Sequence, residues 1–262
     1  MDIIDFHAHI YPEKIAAKAT ESIGAFYTLP IREMGTARDL LVCAKAAGIR
    51  RTVIHSPALL PRTVHAINCF IGEECRSHPE FIGFGTLHAF MENPEAEIEE
   101  ILALGLKGVK IHPDIQAFDL DHEKMLPIYR RLEQLGLPVL FHTGDYRYDY
   151  SHPRRLVRVL NHCPNLVCIG AHFGGWSIFD LAAEYLKDSP CYLDISSSMA
   201  FLGAARSREL ISLYGPRRML FGSDFPMWSP KKELEVFLSL GLSPEENQLI
   251  LHDNAAKILG IA

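Results

Sequence analysis

Ile3-Ile4-Asp5-Phe6-His7-Ala8-His9 opens the chain with a short apolar run that ends in two histidines. In an extended strand, residues i and i+2 share a face, so both imidazoles project toward one spot. A doubly wound sheet more often follows its first strand with a glycine-rich phosphate turn. Here the strand runs directly into candidate metal ligands. Seven further runs repeat this syntax: Arg51–His55, Ile82–His88, Gly108–His112, Pro138–His142, Val167–His172, Cys191–Ile195 and Arg218–Asp224. Most begin roughly 25 to 31 residues apart, which suits βα units.

Helix signals fill the intervals. Asn93-Pro94-Glu95 and Ser243-Pro244-Glu245 each supply a cap, a proline at the first helical position and an acid in the first turn. Thr36 with Asp39 resembles a capping box. Gly48, Gly105, Gly136 and Gly241 follow periodic apolar segments and suit helix C-terminal caps. Alternating strands and helices predict a parallel sheet with helices outside. Runs such as Val53-Ile54 and Met219-Leu220-Phe221 are too continuously apolar for a sheet with one wet face. Eight such units in 262 residues predict an α/β fold, a single (β/α)8 TIM barrel forming one domain over residues 1–262. Chemistry in that architecture sits at the C-terminal ends of the strands.

The composition, 48% hydrophobic and 22% charged, excludes disordered and fibrous chains. The net charge of −6 lacks the basic excess of a nucleic-acid-binding protein. No apolar run reaches the 18 or so residues needed to span a bilayer, so no membrane partner is expected. Met1 to His9 carries two acids and no base, unlike a signal peptide. The six cysteines form no C-x-x-C pair, so free thiols in a reducing cytoplasm are expected. Neither a G-x-S-x-G elbow nor a P-loop is present.

Of the 13 histidines, seven fall at or just past predicted strand ends: His7, His9, His55, His88, His112, His142 and His172. Neutral imidazole is a common zinc ligand. H-x-H alone is a weak signal, but His142 and His172 end the fifth and sixth runs and Asp224 ends the eighth. A carboxylate after an apolar strand is costly to bury unpaired. The next helix signal, Ser229-Pro230, comes too late for Asp224 to be its cap.

Asp5-x-His7-x-His9, Gly108-Val-Lys110-Ile-His112-Pro113, His142-Thr-Gly144, His172-Phe-Gly-Gly175, Gly222-Ser-Asp224-Phe-Pro226 and Asn254-Ala-Ala-Lys-Ile-Leu-Gly260 occur in this order. The ordered set resembles the amidohydrolase superfamily, in the branch of metal-dependent hydrolases similar to aminocarboxymuconate-semialdehyde decarboxylase. The resemblance spans nearly the whole chain and implies a divalent metal at the barrel mouth. It implies His7, His9, His142 and Asp224 as ligands, with Asp224 also handling a proton. It makes His172 either a ligand of a second metal or a catalytic residue over the substrate. Two readings of Lys110 stay open: a carboxylated lysine bridging two metals, or a lysine facing an anionic substrate. Zinc is the expected ion, one per chain, or two if Lys110 is carboxylated.

The leading expectation is hydrolysis of a small carboxylate-, amide- or lactone-bearing substrate by a metal-activated water. Asp224 would accept the proton and His172 would polarise the carbonyl. The alternative is metal-dependent, non-oxidative decarboxylation of a small carboxylic acid. A non-catalytic metal-binding barrel is the third reading. Arg147 beside Tyr146 could hold a substrate carboxylate in a bidentate pair. Trp176 and His112 are further candidate substrate contacts, while His55 and His88 read as satisfied polar residues near the mouth. A homodimer is expected only by analogy with barrel enzymes. One excursion, Tyr11 to Arg50, is far longer than a loop and one helix need. It leaves the mouth beside the H-x-H pair and is expected to cover the site. Trimming it should change which substrates are turned over and leave metal binding intact, as metal titration beside substrate profiling would measure.

Overall fold

The computed structural model describes residues 2–261. The first half runs β1 (Ile4–His9), α1 (Glu13–Tyr27), α2 (Ala37–Ala47), β2 (Arg51–His55), α3 (Val64–Ser77), β3 (Phe81–Thr86), α4 (Pro94–Ala103), β4 (Gly108–Ile111), α5 (Pro113–Gln116) and α6 (Met125–Leu135). The second half runs β5 (Val139–Phe141), α7 (Pro153–His162), β6 (Cys168–Gly170), α8 (Phe179–Leu186), β7 (Tyr192–Asp194), α9 (Met199–Tyr214), β8 (Met219–Leu220), α10 (Pro230–Leu238), α11 (Pro244–Gln248) and α12 (Asn254–Leu259). Each strand pairs in parallel with the next, in the order β1 to β8. The seam between β8 and β1 is drawn together by Phe6 N donating to Phe221 O (2.8 Å) and Asp224 N donating to His7 O (2.7 Å). The (β/α)8 barrel expected from the alternating runs is the fold observed.

The local signals act where the residues place them. Thr36 Oγ1 accepts from Asp39 N to start α2, and Asn93 Oδ1 accepts from Ala96 N to start α4. Ser243 and Glu246 form a complete capping box on α11. Gly48 and Gly136 end α2 and α6 in the left-handed conformation that costs glycine nothing.

Two apolar layers hold the barrel. Phe6, Val53, Phe84, Leu140, Ile169 and Leu220 come from six different strands and share one cluster. They can meet only inside the ring. A larger cluster fills the space between strands and helices, with Ile54, Val109, Phe141 and Leu193 facing Ile71, Leu132, Leu156 and Leu186.

β1 carries one residue more than β2 between Asp5 and Ala8. This bulge breaks the strict alternation of faces. Phe6 therefore joins the inner core while the very next residue, His7, also turns inward to the site. Asp5 supports the irregular stretch, accepting from His7 N (3.1 Å), Ser223 N (2.9 Å) and Ser223 Oγ (2.5 Å). One carboxylate so ties the strand that bears His7 to the turn that bears Asp224.

The long excursion after β1 resolves into two helices with different jobs. α2 packs against α10 in the outer ring, as a barrel's own connecting helix would. α1 is the addition. Ile15, Ala19, Ile23 and Tyr27 recur every four residues along it and line the cavity at the mouth.

Past β5 and β6 the backbone packs with no room for a side chain. Gly144 has φ +76°, and a Cβ there would lie 2.5 Å from Gly175 Cα and C. Trp176 N donates to Thr143 O (2.8 Å) across the same approach. This contact sets His142 beside His172. Gly144→Ala should cost about 1–3 kcal/mol through strain and overpacking. Urea unfolding of the two proteins would show it as a lower midpoint with an unchanged slope.

Candidate metal centre

His7 Nδ1 lies 2.8 Å from Asp194 Oδ2, deep in the barrel. A carboxylate only accepts, so the ring hydrogen belongs on Nδ1 and the Nε2 lone pair faces the mouth. Asp194 Oδ1 accepts from Ser196 Oγ (2.5 Å), Ser196 N (3.0 Å) and His172 N (3.2 Å). Burial alone would raise the Asp194 carboxyl, but His7, His172 and Ser196 outweigh it and hold it well below the usual carboxylate range.

The exposed lone pair of His7 meets three other groups. His9 Nε2 and Asp224 Oδ1 each lie 3.3 Å from His7 Nε2, and 3.3 Å from each other. Lys110 Nζ lies 3.2 Å from His7 Nε2. Burial opposes the Asp224 charge too, yet the imidazoles of His7, His9 and His172 keep its carboxyl far below the ordinary range. Ser197 Oγ donates to Asp224 Oδ2 and accepts from Trp228 Nε1 (2.7 Å).

The second pair of histidines repeats the pattern. His142 Nε2 faces two acceptors, Gly144 O (3.1 Å) and Asp114 Oδ2 (3.4 Å), so its hydrogen lies there. His172 Nδ1 faces Ser196 O (3.0 Å), which takes its hydrogen. The nitrogens left over, His142 Nδ1 and His172 Nε2, stand 3.1 Å apart with lone pairs opposed. Opposed lone pairs repel, and a cation among them removes the conflict. The equal 3.3 Å separations among His7, His9 and Asp224 match the edge of a tetrahedron whose ligands lie about 2.0 Å from a zinc-sized ion. The donor set thus fits a divalent ion. Burial, with Lys110 adding to it, lowers His7 to about 4, and burial pushes His9 and His142 down as well. Neutral rings are the form that binds metal.

The remaining predicted residues divide. His112 stacks on His142 (ring centres 3.9 Å apart) and its Nε2 lies 2.9 Å from Tyr27 Oη. Trp176 lines the cavity, edge-on to Tyr27. Lys110 is fully buried at the cluster, and burial lowers its ammonium to about 8. His55 is not the satisfied polar residue expected: it packs against His7 and His9 with neither ring nitrogen hydrogen-bonded. Arg147 and Tyr146, expected as substrate contacts, are not among the residues that line the cavity. Arg147 spends its fork on Asp145 (Nε–Oδ1 2.9 Å, Nη2–Oδ2 2.7 Å) and donates Nη1–H to Phe26 O (2.5 Å). Its guanidinium also lies over the Phe26 ring, 4.6 Å from the centre. It clamps the end of α1 to the loop after β5. Tyr146 is 73% exposed and lies outside the cavity lining.

Three contributors escaped the sequence reading. Asp194 sits in the seventh apolar run and could have been found by the rule applied to Asp224, that such a carboxylate needs a partner. Tyr27 continues the four-residue stripe of α1. Ser197 gave no sequence signal, because its role depends on a left-handed backbone (φ +51°) after β7.

The profile of the family described as amidohydrolase matches residues 4–261. The chain belongs to the amidohydrolase family. This amidohydrolase-family chain is 35% identical to a 2-amino-3-carboxymuconate-6-semialdehyde decarboxylase of Dictyostelium discoideum, over 74% of this chain and 66% of that one. The match thus spans just under two thirds of that curated relative's length. Among solved structures, it resembles a TIM-barrel protein of Bordetella bronchiseptica (24% identity, TM-score 0.79, 99% of both chains). It also resembles a dihydroxybenzoic acid decarboxylase from a Polaromonas species with bound manganese and the inhibitor 2-nitroresorcinol (16% identity, TM-score 0.75, 99% and 97% of the two chains). At those identities the structural likeness speaks to the fold alone.

Asp194→Asn keeps the shape beside His7 but removes the charge that fixes its tautomer. The substitution should weaken metal binding about 10- to 100-fold. Competition titration against a chromophoric chelator would measure the change.

Proposed function

We propose that this chain is a metal-dependent decarboxylase that releases CO2 from a small carboxylic acid without an oxidant. The observation that carries this reading is the 35% identity to a curated decarboxylase across 74% of the chain. The motifs had favoured hydrolysis, and this relative favours their alternative. In the proposal residues 1–262 act as one domain, in a reducing compartment such as the cytoplasm. The six free cysteines support the latter. Among the described residues, no helix is long and apolar enough to cross a membrane.

His7, His9, His142 and Asp224 would hold one divalent ion, for which manganese and zinc both suit the nitrogen and oxygen donors. When bound, such an ion supplies a positive charge that draws an anionic substrate in and stabilises negative charge developing on it. The chain's own residues do the rest. The bond from the substrate carbon to its carboxyl group breaks and leaves its electron pair on that carbon. A proton then takes the place of the departing CO2. Asp224 borders the cavity, so it is placed to pass a proton from solvent to that carbon and end ionised again. Ser197 Oγ can turn from donor to acceptor as that proton arrives at Oδ2. His172, its Nδ1–H held by Ser196 O, presents the Nε2 lone pair to the cavity, where it can accept a hydrogen bond from a substrate hydroxyl. Tyr27 and Trp176 close over the reacting group and limit water.

Incubation of the metal-loaded protein with a panel of aromatic and unsaturated acids should release one CO2 per acid consumed. Asp224→Asn and His172→Ala should each lower kcat by about 100-fold or more. Cleavage of amides or lactones without CO2 would instead establish hydrolysis, and near-normal turnover by Asp224→Asn would remove its assigned role.

A further inference from the structure

We propose that the substrate is a monocarboxylic acid whose extended apolar body lies along α1, and that a second carboxylate is disfavoured. The proposal deepens the decarboxylase reading and rests on it for the acid group. The cavity at the mouth has a volume of about 550 Å³. That falls in the middle of the range for pockets holding drug-sized ligands, roughly 300–1,000 Å³. Its two ends differ in chemistry. The deep end presents His9, His142, His172 and Asp224, where an acid group would sit. The outer half is walled by Ile15, Ala19 and Ile23 of α1, facing Pro57, Leu59 and Met227. Ile15 and Leu59 are 51% and 59% exposed at the rim, apolar surface that a ligand's body would cover.

The charges exclude a second anionic group. Besides Asp224, the lining holds Asp114, whose Oδ1 is buried with no hydrogen-bond partner. That oxygen is left to pair with a hydroxyl of the ligand. Among the described residues no arginine lines the cavity, and the Arg147 guanidinium already holds Asp145 and Phe26 O. Lys18, exposed on the rim, is the one lysine among the described lining residues. A solvated ammonium on a flexible stem adds little to the binding of an anion. A second carboxylate seated among Ile15, Ala19 and Ile23 would lose its hydration and find no partner.

Calorimetric titration of the metal-loaded protein with benzoate, 4-propylbenzoate, 4-hexylbenzoate and benzene-1,3-dicarboxylate tests this directly. Affinity should rise along the alkyl series, by up to about fourfold per methylene that is buried. The dicarboxylate should bind no tighter than benzoate. Ala19→Trp should erase the gain along the series, with its melting curve and metal content reporting that it has folded. If that variant does not fold, the alkyl series on the unaltered protein still decides. Equal affinities along the series would overturn the proposal. So would a dicarboxylate that binds more tightly than benzoate and loses its advantage in Lys18→Ala. Because only binding is read, the outcomes separate: an alkyl gain without CO2 release from any acid would retain the apolar seat and overturn decarboxylation.

Discussion

The hydrogen bond from His7 Nδ1 to the buried Asp194 carboxylate organises the mouth of this barrel. A buried carboxylate is tolerable only when its lone pairs are answered, and Asp194 is answered by His7, Ser196 and the backbone of His172. The His7–Asp194 bond and the bond from His172 Nδ1 to Ser196 O dictate where hydrogens sit on two imidazoles. They leave Nε2 of His7 and Nε2 of His172 as bare lone pairs aimed at one region. The Asp224 carboxylate completes a pocket of electron pairs whose natural occupant is a cation.

Strain marks the same place. His172, Ser197 and Asp224 follow β6, β7 and β8, and all three adopt left-handed backbone angles, with φ of +59°, +51° and +57°. For residues other than glycine each such conformation costs about 1–3 kcal/mol. Three of them together at successive strand ends persist because the surrounding bonds over-determine them: Ser196 O on His172, Asp224 on Ser197, and His7 O on Asp224 N. Stability spent there turns three side chains inward that an ordinary strand-to-loop exit would have turned elsewhere.

Above this rigid floor sits an element that the barrel does not need. α1 contributes an apolar stripe and Tyr27, and it is held down at its C-terminal end by Arg147, which grips Asp145 with one side of its fork and the helix carbonyl of Phe26 with the other. The arginine that looks in sequence like a carboxylate receptor is therefore a structural clasp. Its charge is neutralised by Asp145 rather than offered to the cavity. The reacting group and the rest of the substrate thus meet walls of different origin, strand ends below and an inserted helix above.

Much of this was legible in one dimension. Eight short runs, seven of them ending in a polar residue, alternate with helical segments, several bearing cap signals, and define the barrel, because period and caps are local properties. His7, His9, His142, His172 and Asp224 stand out because apolar strands seldom end in such donors by chance, and the structure brings them together. What the chain alone could not say concerns partners. The β1 bulge, which lets Phe6 and His7 both face inward, depends on register against β2. The spending of Arg147 on Asp145 and Phe26, the bare nitrogens of His55, and the tautomers fixed by Asp194 and Ser196 depend on atoms far away in sequence. The order of the residues determined which groups arrive at the mouth; only the closed ring determined which lone pairs remain free once they have met.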